Sequence, residues 1–101
     1  MKKILLCCSA GMSTSMLVKK MEQAAEKRGI TCQIEAHAVN NFSELIGEYD
    51  VCLLGPQVRF QLDELKKTAD DHGKSIAAIA PQDYGMMKGD EVLTQALNLI
   101  K

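Results

Sequence analysis

Apolar and polar positions follow two rhythms along the chain, and each change of rhythm marks a new element. Lys3–Cys7 is a short apolar run that predicts a buried strand at the start. From Ser13 to Arg28 the rhythm is helical. Leu17, Val18, Met21, Ala24 and Ala25 make one apolar face, while Lys19, Lys20, Glu22, Gln23, Glu26 and Lys27 take the other. Gly29 stands where such a helix ends. Over Thr31–Ala38 the period drops to two, with Cys32, Ile34, Ala36 and Ala38 alternating against Thr31, Gln33, Glu35 and His37. One wet face suits a strand at the edge of a sheet. Asn40-Asn41 is a turn signal, and Phe42–Tyr49 predicts a short helix with Phe42, Leu45, Ile46 and Tyr49 inward. Val51–Leu54 is apolar throughout, as a central strand covered on both faces would be.

Gly55-Pro56 breaks that strand, and Pro56 suits the first turn of a helix in which Val58, Leu62, Leu65 and Ala69 share a face. Gly73 closes it before a fourth strand, Ser75–Ala80, which Pro81 stops. Gly85 and Gly89 punctuate a loop; Asp90 is the expected N-cap of a last helix with Leu93, Ala96, Leu97 and Ile100 inward. Four strands separated by helices imply right-handed β-α-β units and a parallel sheet, an α/β sandwich expected to form one domain over residues 1–101.

Composition removes several classes of function. Twelve basic against thirteen acidic residues give a formal net charge of −1, so no excess charge calls for nucleic acid or an anionic membrane. The longest apolar runs, Ile4–Cys8 and Ile76–Ala80, are too short to span a bilayer, and Met1-Lys2-Lys3 with its short apolar run does not read as a signal peptide. The expectation is a cytosolic protein without membrane insertion. Cysteines at 7, 8, 32 and 52 and histidines at 37 and 72 lack the clustering of a metal site, and without export a disulfide framework is not expected either. Cys7, Cys32 and Cys52 read as small buried hydrophobes.

Cys8 differs because of the small residues on its carboxyl side. Cys8-Ser9-Ala10-Gly11-Met12-Ser13-Thr14-Ser15 joins the first strand to the first helix, at the carboxyl end of a parallel strand, where open α/β sheets bind ligands. Small residues let main-chain amides converge, and the helix adds its free N–H groups and positive dipole end, so the loop suits an anion the size of phosphate. The same field favours a thiolate, and a thiolate among phosphate-binding amides is a phosphoryl acceptor. Against this stands a buried structural turn, with Ser13, Thr14 and Ser15 serving only as a cap. Cysteine phosphatases carry a clamping arginine six residues after the nucleophile. Here that position is Thr14, and the only arginines are Arg28 and Arg59, which favours a carrier over a phosphatase.

The run from Cys8 to Ser15, with Leu53-Leu54-Gly55-Pro56-Gln57 and Tyr84-Gly85, resembles the IIB component of the bacterial sugar phosphotransferase system, lactose/cellobiose class, over essentially the whole chain. The resemblance implies a four-stranded parallel sheet of order 2-1-3-4 with helices on both faces, similar to the low-molecular-weight tyrosine phosphatase fold. It implies that Cys8 takes phosphate from the phosphohistidine of a IIA partner and passes it to a sugar, such as a β-linked disaccharide, held by the membrane permease IIC. Ser9, Ala10, Gly11, Met12, Ser13, Thr14 and Ser15 are then the phosphate loop, and no cofactor or metal is called for. The rival on the same fold is a thiol redox enzyme of arsenate-reductase type, and a third reading is a non-catalytic phosphate sensor.

Lesser candidates surround this loop. Alternation along the first strand turns Cys7 into the core and Cys8 toward the loop. His37 is either a general base for Cys8 or an ordinary edge-strand histidine; His72 complements a helix dipole. Asp83 and Tyr84 in the loop after the fourth strand, and Gln57, are expected at the rim; Asp83 is either an acid for a leaving group or a loop cap. Met12, Met16, Met86 and Met87 read either as an adaptable docking rim or as core filling.

Overall fold

The computed structural model describes residues 2–9 and 14–100. Strands β1 (Lys2–Cys8), β2 (Cys32–Ala38), β3 (Val51–Leu54) and β4 (Ser75–Ala78) pair in parallel in the order β2-β1-β3-β4. The apolar strands β1 and β3 hold the centre, and the alternating strand β2 takes an edge. There only Ile34 is buried and the rest are half-buried. Registers pair Ile4 with Ile34 and Val51, and Cys7 with His37 and Leu54.

Strand pleating distributes the core over two faces. Ile4, Leu6, Val51 and Leu53 pack on one face beneath α1 (Ser15–Lys27) and α5 (Gly89–Leu99). Leu5, Cys7, Cys52 and Leu54 pack on the other, beneath α2 (Phe42–Leu45) and α3 (Leu62–Asp71). Helix α1 buries Leu17, Met21, Ala24 and Ala25, leaving Val18 half-buried. It ends as expected at Gly29, whose φ of 67° is open to glycine at little cost; Gly73, at 69°, ends α3 in the same way.

Four local expectations need correction. Phe42–Tyr49 is not one helix. Tight 3₁₀ turns over Val39–Asn41 and Ile46–Glu48 flank the single turn of α2, and Tyr49 is already extended. Pro56 opens a 3₁₀ turn, Pro56–Gln61, before α3 begins at Leu62. Strand β4 stops at Ala78, three residues before Pro81, and Pro81 starts a short helix, α4 (Pro81–Gly85), where a loop was expected. Asp90 is not the N-cap of α5: the helix begins two residues earlier than that cap implies, with Lys88 in the cap position and Asp90 in the first turn, paired with Arg28 at 2.5 Å.

Candidate functional site

The parity that splits the core also aims Cys8. Ile4 and Leu6 face α1, Leu5 and Cys7 face away, so Cys8 turns toward the start of α1. Thr14, the residue before that helix, is fully buried, and its hydroxyl donates to the Cys8 sulfur at 3.6 Å rather than capping a helix N–H. Cys8 itself is buried, with 1% of its surface exposed. A cysteine sulfur therefore sits where the N-terminal dipole of a thirteen-residue helix and a hydroxyl donor converge, and both favour negative charge there.

The adjoining strand supplies a second wall. Gly55, just beyond β3, donates its N–H to the carbonyl of Cys7 at 2.8 Å. A Cβ placed on it would lie 3.4 Å from Cβ of Cys8 and 2.7 Å from Oε1 of Gln57, so the glycine lets that turn close on the cysteine with the Gln57 amide beside it. Gln57 Nε2 donates to the Tyr84 hydroxyl at 3.2 Å, which ties the turn after β3 to α4. These two rim residues thus meet. Asp83, half-buried in α4, forms no side-chain bond with either. Ser9 is exposed after β1, and Ser15 is exposed at the first position of α1. Ala10, Gly11, Met12 and Ser13, the middle of the expected phosphate loop, lie outside the described residues.

His37 does not face this site. It stands opposite Cys7 in the register, on the α2–α3 face; its Nε2 is 3.2 Å from Oε1 of Glu35 and its ring lies against Tyr49. Burial, with Glu35 alongside, raises the Tyr49 phenol to about 12, and this polar cluster lies on the layer away from Cys8. His72 bonds the Thr68 carbonyl through Nδ1 at 2.9 Å, at the end of α3 as expected. Met16 and Met86 are exposed, while Met87 packs against the core. The contacts of Thr14 and Gly55 with Cys8 escape a reading of the chain. Thr14 is expected in the phosphate loop or as part of a cap, and Gly55 as a strand breaker within the motif Leu53–Gln57; neither expectation includes the contact with Cys8.

The chain is thus an α/β protein with a parallel sheet of order β2-β1-β3-β4 and a cysteine at the end of a central strand facing a helix start. Residues 3–95 match the family model described as the PTS system, lactose/cellobiose-specific IIB subunit, and the chain belongs to this family. It is a sugar-specific phosphotransfer component of the lactose/cellobiose type. The galactose-specific EIIB component of Lactococcus lactis subsp. cremoris is 44% identical over 104 residues, which cover 98% of this chain and 96% of that protein. The cellobiose-specific phosphotransferase IIB component of Borrelia burgdorferi, known as a solution structure, superposes with a TM-score of 0.81 at 43% identity, covering 98% of this chain and 91% of that one. A lactose-specific EIICB component of Streptococcus mutans is 25% identical over 81 residues, 80% of this chain and 14% of that protein. Galactose, cellobiose and lactose all occur in these names, so the likeness does not select one sugar. The sheet order and two-faced helical cover expected from the resemblance are observed.

Proposed function

We propose that Cys8 carries the phosphoryl group. Its thiolate attacks the phosphorus of a phosphohistidine on a IIA protein. An S–P bond forms, the P–N bond breaks, and the released imidazole nitrogen takes the electron pair and then a proton. In the second step a hydroxyl oxygen of the sugar held by the IIC permease attacks phosphorus and gives up its proton. The S–P bond breaks, and Cys8 leaves as thiolate. Amides of the segment from Ser9 to Ser15, with the Thr14 hydroxyl and the start of α1, balance the charge on the transferring oxygens. The acceptor is a β-linked disaccharide of cellobiose type, and the protein works in the cytoplasm at the membrane surface through IIC. No helix among the described residues is long and apolar enough to cross a membrane. The observation that carries this reading is the 3.6 Å approach of Thr14 Oγ1 to Cys8 Sγ at the start of α1, in a chain of a phosphotransfer family.

Four features weigh against the redox alternative, which needs a resolving thiol. Cys7 and Cys52 face the opposite layer from Cys8, and Cys32 stands six residues down the sheet, ~20 Å away. Cys7 and Cys52 stand diagonally on neighbouring parallel strands, which sets their Cα atoms ~8 Å apart, beyond disulfide reach. Burial, with Cys7 adjacent, also pushes the Cys52 thiol well up, and burial raises that of Cys32.

The test is intact mass after incubation with the phosphorylated IIA partner, followed by peptide mapping. One phosphoryl group on residue 8 is expected; no adduct, or an adduct mapped elsewhere, overturns the reading. Thr14→Val keeps the buried shape and removes the donor. It is expected to slow adduct formation by about ten- to a hundredfold, a loss typical of one charge-stabilising hydrogen bond. Thr14→Ser should restore most of the rate, and the melting temperature of both should stay close to that of the parent.

A further inference from the structure

Away from Cys8, the C-terminal half of α1 and the first turn of α5 border an open, concave cavity of about 460 Å³ whose lining includes Lys20, Gln23, Lys27, Arg28, Met87 and Asp90. The volume falls within the range of small-molecule sites. Lys20, Gln23 and Lys27 recur at i, i+3 and i+7 along one side of α1, with the two lysines ~10 Å apart along the helix axis, and all three line the cavity. Both are exposed, and neither is ion-paired with another described residue.

Arg28 is already committed. Its Nη2 pairs with Asp90 Oδ1 at 2.5 Å and donates to Thr94 Oγ1 at 2.7 Å and to the Asp90 carbonyl at 3.2 Å. That clasp forms a fixed wall and consumes the one acidic group in the lining. The lining thus holds three cationic side chains against one anionic, a local excess of two positive charges on a chain whose net charge is −1. A concave site with such an excess concentrates small anions.

We propose that this cavity binds a sugar phosphate, at a site separate from Cys8. The lysine ammonium groups suit a phosphate dianion, the Gln23 amide suits sugar hydroxyls, and Met87 with Ala24 offers an apolar wall to a pyranose face. A neutral sugar would leave both lysine charges unmatched. The choice of a sugar ester rests on the phosphotransfer reading above, whereas the preference for a small anion follows from the lining alone.

The full chain, labelled with ¹⁵N, would be titrated separately with cellobiose 6-phosphate, cellobiose and inorganic phosphate while amide shifts are followed. With the ester, saturable shifts at Lys20, Gln23, Lys27 and Gly89 are expected, weakening as salt rises. The double variant Lys20→Gln/Lys27→Gln should bind at least about tenfold more weakly, the loss of two exposed charge contacts, with unchanged melting. The proposal is overturned by shifts confined to the surroundings of Cys8, by no shift at millimolar ester, or by equal binding in the double variant. Equal affinity for cellobiose or for inorganic phosphate overturns it as well. Cys8→Ser protein should give the same titration. A failure of the phosphocysteine reading would therefore appear in the mass experiment and leave these shifts in place.

Discussion

Replacing Cys8 by serine is expected to abolish sugar phosphate formation in a system reconstituted from the general phosphotransfer proteins, IIA, this chain and IIC. The reason lies in the nucleophile. At neutral pH a thiol near a helix start supplies thiolate, while a serine hydroxyl in the same place stays protonated and attacks weakly without a base. His37, the candidate base, faces the other layer of the molecule, bonded to Glu35. Folding should survive, since serine is nearly isosteric and its hydroxyl can exchange a hydrogen bond with Thr14; a stability change within about 1 kcal/mol is expected. Cys7→Ala is the informative companion. Cys7 is equally buried but faces the α2–α3 layer, so this variant should lose stability, by roughly 1–2 kcal/mol for a truncated buried side chain, and keep its transfer activity. Sugar phosphate formed by the Cys8→Ser chain at more than background, or lost in a folded Cys7→Ala chain, would sink the assignment of residue 8.

The large features of this fold were legible because they depend on period and polarity, which are local. The continuous apolar runs of β1 and β3 required burial on both faces, and the alternation of β2 left it only an edge. What failed was the detail of short connections. A 3₁₀ turn and a first α-turn use the same residues, and packing decides between them, so Val39–Glu48 and Pro56–Gln61 broke into pieces that periodicity joins. Pro81 shows the limit from the other side. Proline suits both the residue after a strand and a first helical turn, and the chain alone does not choose between them; Pro81 takes the second role.

The candidate site divides in the same way. The direction of Cys8 follows from counting residues in β1, and its nearness to a helix start follows from β-α-β topology. Its neighbours from other elements do not. Gly55 reaches Cys8 only because β3 stops level with Cys7, a register that the chain does not spell out. The position of His37 near a strand end made it a candidate, and the separate register of β1 with β2, equally unspoken in the chain, concealed that it stands opposite Cys7.

Gly89→Ala is expected to cost about 2–4 kcal/mol of stability, read as a fall in the denaturant midpoint. An added Cβ would lie 2.5 Å from the carbonyl carbon of Lys20 and 2.7 Å from its oxygen. These are backbone atoms of α1, so no change of rotamer relieves the overlap, and α5 must move away as a body. That movement loosens Val92, Leu93 and Ala96, all fully buried against the sheet and α1. It also opens the Arg28–Asp90 clasp between the two helices. Gly73→Ala separates this mechanism from ordinary backbone strain. Nothing lies within 4 Å of a Cβ at Gly73, and its φ of 69° costs an alanine only the left-handed penalty, about 1–2 kcal/mol. The two variants should also differ in kind. In the Gly89 variant, amide exchange should quicken along α5 and the facing turns of α1, whereas in the Gly73 variant the effect should stay near the end of α3. Equal losses in the two, or a Gly89→Ala chain as stable as its parent, would mean that α1 and α5 do not meet as closely as their shared glycine requires.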